Sequence, residues 1–134
     1  MFMKTVPAVL EKQYQLIMWL LPRMAEFPKD QRFLLADRIQ GTMLDVLERL
    51  IEAVYRKDKL PLLREANLGL EKTRFLMRMA MERKYISLKR HVFFCQSADE
   101  IGRMIGGWMK SFGNQDPGAQ GCRERGVKGE VQMP

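Results

Sequence analysis

The sequence has little of the side-chain chemistry that metal-dependent and hydrolytic enzymes use. Its 134 residues include one histidine, His91, and two cysteines, Cys95 and Cys122. A carboxylate-bridged dinuclear metal site in a helical bundle needs Glu-x-x-His motifs, and the residue three before His91 is Leu88. That class of site is excluded. We expect no metal ion, no other cofactor and no small-molecule substrate.

Cysteine usage and hydropathy limit the cellular setting. Cys95 lies in an apolar helical pattern and Cys122 in a glycine-rich segment, so the two do not indicate a disulfide framework. This usage predicts a reduced, cytoplasmic protein. The longest apolar run, 16–21, is far shorter than the roughly 18 residues that a membrane-spanning helix requires. The N-terminal segment also lacks the layout of a secretory signal, and we expect no membrane partner.

One pair of residues could still carry out nucleophilic chemistry. His91 and Cys95 are four residues apart, which places them side by side on a helix. A cysteine next to a histidine can act as nucleophile and base. No oxyanion-hole pattern or orienting residue accompanies the pair, and two ligands fall short of a zinc site. We therefore interpret the pair as a packed thiol beside a structural imidazole, with an enzyme as the alternative.

Strand signals are missing as well, and the fold class predicted is all-α. There is no sustained alternation of apolar and polar residues and no Asn-Gly or Asp-Gly turn. Periodic apolar residues predict four helices, at about 8–24, 29–57, 61–84 and 88–112, with Ser87 capping the last. Their short connections predict an up-down-up-down antiparallel four-helix bundle over 1–112. The Gly, Gln and Pro-rich tail, 113–134, is predicted to be disordered.

The fourth helix carries an apolar stripe and a run of glycines. The stripe predicted to be buried consists of Leu88, Val92, Cys95, Ala98, Ile101, Ile105, Trp108 and Met109. Gly102, Gly106 and Gly107 superficially resemble a phosphate-binding loop, but no strand precedes them and no Lys-Ser/Thr follows. Glycines four apart on one helical face instead predict close approach of another helix.

The third helix has two apolar sectors where a single bundle core needs one. Leu63, Ala66, Leu70, Met77 and Met81 form the first, and Leu68, Phe75 and Met79 lie roughly opposite. The first helix is also apolar around much of its circumference near Trp19. We therefore predict a homo-oligomer whose interface includes Leu68, Phe75, Met79 and Trp19. The alternative is that these residues are rim contacts beneath loops of a monomer.

Positive charge is concentrated between Lys72 and Arg90. Seven bases face one acid, Glu82, so this stretch supplies +6 of the net charge of +7. Such a balance favours an acidic partner, and arginine suits bidentate contact with phosphate. The candidate residues for binding nucleic acid or a protein partner are Arg74, Arg78, Arg83, Lys84, Lys89 and Arg90. The alternative interpretation is a solvated helix face.

Several blocks of residues between about 16 and 110 carry a family resemblance. They are Trp19-Leu20-Leu21-Pro22-Arg23, Phe27-Pro28 to Arg32-Phe33, Asp37-Arg38-Ile39, Leu44-Asp45-Val46-Leu47-Glu48, Asp58-Lys59-Leu60 with Leu63-Arg64-Glu65-Ala66-Asn67, and Asp99-Glu100-Ile101-Gly102-Arg103-Met104-Ile105-Gly106-Gly107-Trp108. In order and spacing the chain resembles the accessory variability determinant (Avd) proteins of diversity-generating retroelements. These lie within a wider group of four-helix bundles related to ribosomal-RNA intervening-sequence proteins.

The resemblance implies a non-catalytic subunit that assembles into a basic homopentameric barrel. It implies binding to the retroelement's reverse transcriptase and to template-repeat RNA, with cDNA as a further candidate, in support of mutagenic cDNA synthesis. The implied setting is the cytoplasm, for a protein that is bacterial, archaeal or encoded by a phage. Basic residues of the third helix and the following turn would make these contacts. A protein-only interaction scaffold with the same fold, without nucleic-acid binding, is the alternative.

Overall fold

A computed structural model describes residues 7–113, and every regular element in that range is helical. Helix α1 is Ala8–Met24. Helix α2 begins with Lys29–Gln31, passes through a π-helical turn at Arg32–Ala36 and continues as Asp37–Tyr55. Helices α3 and α4 are Leu60–Glu82 and Leu88–Gly113. The all-α class and the four helices are confirmed. The tail predicted to be disordered, 113–134, lies outside this range except for Gly113, which ends α4.

The helix ends follow from local chemistry. Pro7 precedes the first residue of α1, where its missing N–H costs nothing. Lys59 ends α2 by donating from Nζ to the carbonyl oxygens of Ala53 at 2.7 Å and Arg56 at 2.6 Å. Ser87 caps α4 as predicted, because its Oγ accepts the backbone N–H of Arg90 at 3.2 Å.

The π-helical turn at the start of α2 was not predicted, since the sequence pattern indicated an uninterrupted α-helix. A π-helical turn holds one residue more than an α-helical turn and so changes which side chains face the core. Here Ala36 and Ile39 are both buried in the core, while Phe33 and Leu34 are exposed. Two large apolar side chains therefore stand on the surface beside the α1–α2 connection.

Contacts between helices establish an antiparallel arrangement. Gln13 of α1 donates from Nε2 to the Met43 carbonyl of α2 at 3.0 Å. Arg49, late in α2, pairs with Glu65, early in α3, and Arg90, early in α4, pairs with Glu26, just after α1. Arg74 in the second half of α3 pairs with Asp99 near the middle of α4. Each helix packs on its neighbours in sequence and α4 closes the bundle against α1. The α1–α2 and α3–α4 connections consequently lie at the same end.

The core is a single apolar cluster to which all four helices contribute. Its largest fully buried side chains are Phe27, Phe94, Leu20, Met24, Ile39, Met43, Leu50, Leu63, Leu70, Met77, Ile101 and Ile105. The first apolar sector of α3 faces this core as predicted. The predicted stripe of α4 is wrong near its start: Leu88 and Val92 are exposed, while His91 and Phe94 are buried.

Close helix approach occurs at a glycine that the sequence analysis did not select. A Cβ added to Gly69 of α3 would lie 2.5 Å from Cγ2 of the buried Val46 in α2. By contrast, a Cβ at Gly106 or Gly107 would meet nothing within 4 Å, and one at Gly102 would make ordinary contact with Asn67. The close-approach prediction for the α4 glycines is therefore wrong within the bundle.

Candidate functional site

The α3–α4 turn is a helix C-cap with an unusual residue at its centre. Tyr85 N–H donates to the Ala80 carbonyl at 2.8 Å and Lys84 N–H to the Met81 carbonyl at 2.9 Å, the paired bonds of a Schellman motif. In this motif the residue that directly follows the C-cap takes a left-handed backbone conformation. Lys84 occupies this position, with φ 65°. Glycine is the usual residue there, because a side chain costs energy in that conformation. The chain thus holds a lysine where glycine would be more stable.

The turn is fixed to the rest of the bundle on the side of α1. The Tyr85 ring packs against the buried Phe27, with 5.5 Å between centroids. Arg90 Nη1 donates to Glu26 Oε1 at 2.7 Å. These contacts place the turn and its cations beside the α1–α2 connection.

The antiparallel topology adds the bases that flank the α1–α2 connection to this end of the bundle, which we call the basic end. Its bases are Arg23, Lys29, Arg32, Arg83, Lys84, Lys89 and Arg90, and its acids are Glu26, Asp30 and Glu82. The sequence analysis missed Arg23, Lys29 and Arg32, because charge was counted along one helix. The signal was present in the helix ends that flank the two short connections, which the predicted topology brings together.

Three of the six predicted binding residues are paired with acids of the same chain. Arg74 lies between Glu71, with Nε to Oε2 3.2 Å, and Asp99, with Nη2 to Oδ1 2.7 Å. Arg78 donates from Nε to Glu82 Oε2 at 3.1 Å, one turn along α3. Arg90 is paired with Glu26. Their charges are compensated within the bundle.

The other three, Arg83, Lys84 and Lys89, are exposed and form no ion pair with any described residue. All three lie on or beside the turn. An exposed cluster of uncompensated cations attracts phosphates and carboxylates alike. Among the six predicted residues, those without an acidic partner among the described residues therefore all lie at the basic end.

A second exposed surface lies on α3, facing away from the core. Leu68, Phe75 and Met79 are 54%, 58% and 52% exposed, at positions that share one helical face. The alternative interpretation, in which loops of a monomer cover these three side chains, does not agree with this exposure. Trp19, predicted for the same interface, is half-buried and packs against Phe93 with ring centroids 4.7 Å apart. Trp19 therefore does not share the surface of the other three.

Comparison with known families identifies the chain. The bAvd-like family model matches residues 8–112, which span all four helices. The chain belongs to the bAvd-like family. No curated protein and no solved structure matches it.

The resemblance to Avd proteins is thereby confirmed. Membership of the bAvd-like family indicates an accessory role that works through protein–protein interaction, and together with the all-helical fold it favours a non-catalytic protein. None of the helices described between residues 7 and 113 is both long and apolar enough to span a membrane.

The histidine and cysteine of this bAvd-like chain do touch. Cys95 Sγ lies 3.6 Å from His91 Nε2 on α4. Burial raises the pKa of the Cys95 thiol, and burial together with the nearby Arg78 charge lowers the pKa of His91. Both shifts keep the pair neutral, whereas an activated nucleophile needs a thiolate. Within residues 7–113 no three potential ligands cluster in a way that could hold a metal ion.

Proposed function

We propose that this chain is the non-catalytic accessory subunit of a diversity-generating retroelement, which binds the element's reverse transcriptase and template RNA and supports mutagenic cDNA synthesis. Family membership supports the accessory role. The observation that carries the binding proposal is the group of uncompensated cations Arg83, Lys84 and Lys89. Lys84 supports the proposal further, because its left-handed backbone conformation is unfavourable for a lysine, and strain of this kind is often retained at functional sites.

We further propose that the subunit acts as a homo-oligomer. The number of five copies rests on the resemblance to Avd proteins. The exposed residues Leu68, Phe75 and Met79 support self-association, since an apolar face of this kind is costly on a monomer. Trp19 remains a predicted contact. A ring would repeat the basic end around its axis, and several weak phosphate contacts would then combine by avidity.

RNA binding is tested with a charge-neutralised basic end. The variant combines Arg83→Gln, Lys84→Gln and Lys89→Gln. Its matched control neutralises three exposed bases at the opposite end, Arg56→Gln, Lys57→Gln and Lys110→Gln. Each lost contact to a single-stranded phosphate should lower the slope of log K against log salt by about 0.7, so the first variant should lose about 2.

The control should keep the wild-type slope, with both variants retaining the helical circular dichroism signal. Equal losses in the two variants would show that net charge alone drives binding and would remove the basic end from the proposal. Salt-insensitive binding by the wild type would contradict phosphate contact altogether.

Tests of polymerase binding and of cDNA synthesis require the reverse transcriptase as the partner protein. The basic-end variant and its control are each mixed with the reverse transcriptase of the same element, and complex formation and template-primed cDNA yield are measured. We expect both to fall for the basic-end variant and to be preserved in the control. Full cDNA yield without this chain would overturn an accessory role.

Self-association is tested by analytical ultracentrifugation. Leu68→Ser, Phe75→Ser and Met79→Ser together should reduce the particle to a monomer of 15.7 kDa. The control, Leu44→Ser, Ile51→Ser and Tyr55→Ser, alters exposed apolar residues of α2 and should leave the mass unchanged. A wild-type protein that sediments as a monomer at all concentrations would contradict the oligomer.

A protein-only scaffold is the second candidate, and one observation favours it. Phe33, at 80% exposure, and Leu34 stand on the surface at the basic end, where an apolar protein partner would cover them. Retained polymerase binding together with absent RNA binding would select this candidate over the first.

A further inference from the structure

The groove between α1 and α4 contains an aromatic pair that is only partly covered. The Phe93 ring lies 4.7 Å from the Trp19 ring, centroid to centroid, at an interplanar angle of 46°. Trp19 is half-buried, whereas Phe93 stays 45% exposed. Trp19 thus supports the Phe93 ring from the bundle side and leaves part of it open to solvent.

Two cations without an acidic partner flank this pair. The Arg23 guanidinium lies over the Trp19 ring, 5.2 Å from its centroid, and Arg23 Nε is buried without a hydrogen-bond partner. Lys89 is exposed one turn before Phe93 on α4, so the two side chains share a face. Neither cation forms an ion pair with a described residue.

The acids along the same groove are already engaged. Glu26 accepts from Arg90 at 2.7 Å, and Glu100 lies 3.2 Å from Lys12 Nζ. The charge left over around the aromatic pair is therefore positive. An exposed aromatic ring near uncompensated cations is a combination that proteins use to bind single-stranded nucleic acid, with bases stacking on the ring and phosphates on the cations.

We propose that Phe93, supported by Trp19 and flanked by Arg23 and Lys89, stacks on an unpaired base of single-stranded nucleic acid. The inference depends on the proposed function and makes it more specific: the RNA is held where it is single-stranded. A duplex keeps its bases stacked inside and offers no face to this ring. A protein partner is the competing occupant, because Leu88 and Val92 beside Phe93 are also exposed.

The test compares single-stranded and duplex RNA on the full chain. A 20-nucleotide oligouridine and a duplex of equal length are titrated against the wild type, Phe93→Leu and Phe93→Tyr. Phe93→Leu should weaken oligouridine binding roughly tenfold or more, the range that loss of base stacking gives. Its salt slope and its affinity for the duplex should be unchanged, because no charge is altered. Phe93→Tyr keeps the ring and should bind like the wild type.

The matched control is Tyr55→Leu, which removes an exposed ring from α2 at the opposite end of the bundle and should leave oligouridine binding unchanged. Undiminished oligouridine binding by Phe93→Leu, or equal weakening toward the duplex, would overturn the proposal while leaving RNA binding by the basic end intact. Loss of polymerase binding or of self-association alone would assign the groove to a protein and overturn stacking. A wild type that binds no RNA would instead refute the proposed function itself.

Discussion

Arg74 Nη2 of α3 lies 2.7 Å from Asp99 Oδ1 of α4, so a cation that the sequence assigned to an external partner is joined to the next helix. Glu71 lies on its other side, one turn earlier in α3. Binding a phosphate through Arg74 would have to compete with both carboxylates. The ion pair gives Arg74 a role within the bundle, which can be tested separately from RNA binding.

The first prediction concerns this ion pair. Arg74→Gln, Asp99→Asn and the double variant form a thermodynamic cycle that isolates the pair. Because both side chains are partly exposed, we expect a coupling of about 0.5–1 kcal/mol in the free energy of unfolding, decreasing with salt. Urea denaturation measures it. Additive effects of the two single variants would show that Arg74 and Asp99 are not coupled. A loss of RNA affinity in Arg74→Gln as large as in Lys89→Gln would show that Arg74 also contributes to RNA binding.

The second prediction concerns Lys84. Lys84→Gly should raise the free energy of unfolding by roughly 0.5–1 kcal/mol, because glycine adopts positive φ without the Cβ conflict. The same variant should weaken RNA binding through the lost charge. Lys84→Gln is the control, since it removes the charge and keeps the strain. It should weaken RNA binding equally without a gain in stability, and a Lys84→Gly protein less stable than the wild type would contradict the strain.

The third prediction concerns the contact between α2 and α3. Gly69→Ala places a methyl group 2.5 Å from Cγ2 of the buried Val46, so the valine or the two helices must shift to admit it. Overpacking of this kind costs about 1–3 kcal/mol, measured by urea or thermal denaturation. Gly41→Ala on the same bundle faces open space and should stabilise by up to about 1 kcal/mol. A stabilised Gly69→Ala would show that the helices separate easily.

Helix positions could be predicted from the sequence because local chemistry decides them. Pro28 and the 57–61 segment interrupt the apolar period, and Ser87 supplies a cap, so the helix bounds fall within a few residues of those observed. The register of α4 could not be predicted. Val92 and Phe94 lie on different faces, and only packing against α1, where Phe93 meets Trp19, determines which face is buried.

The sequence predicted where the candidate site lies, but not which basic residues in it are free of acidic partners. Counting charge along α3 located the turn at Lys84, because that stretch is basic regardless of tertiary structure. The count could not show that Arg74 and Arg90 are paired with Asp99 and Glu26, which are distant in sequence. It also could not show that Arg23 belongs to the same end. Which basic residues are paired with an acid depends on tertiary contacts, which a count along the sequence does not contain.

The last prediction concerns pH and His91, which is 5% exposed and whose Nδ1 has no hydrogen-bond partner. Burial, and secondarily the charge of Arg78, lowers the pKa of His91 below its ordinary value of 6.5, although Glu82 acts in the opposite direction. Cys95, 3.6 Å away, stays neutral because burial raises the pKa of its thiol. The unfolded chain therefore binds a proton more readily than the folded one.

It follows that the contribution of neutral His91 to stability is fully present above the unfolded pKa and is lost as pH falls through the folded pKa. The free energy of unfolding should decrease from pH 8 to pH 5, as measured by urea denaturation at each pH. His91→Gln cannot titrate and should lose part of that decrease, while the carboxylates titrate in both proteins and cancel in the comparison. An identical pH dependence in the two proteins would show that His91 is protonated as easily in the fold as in water.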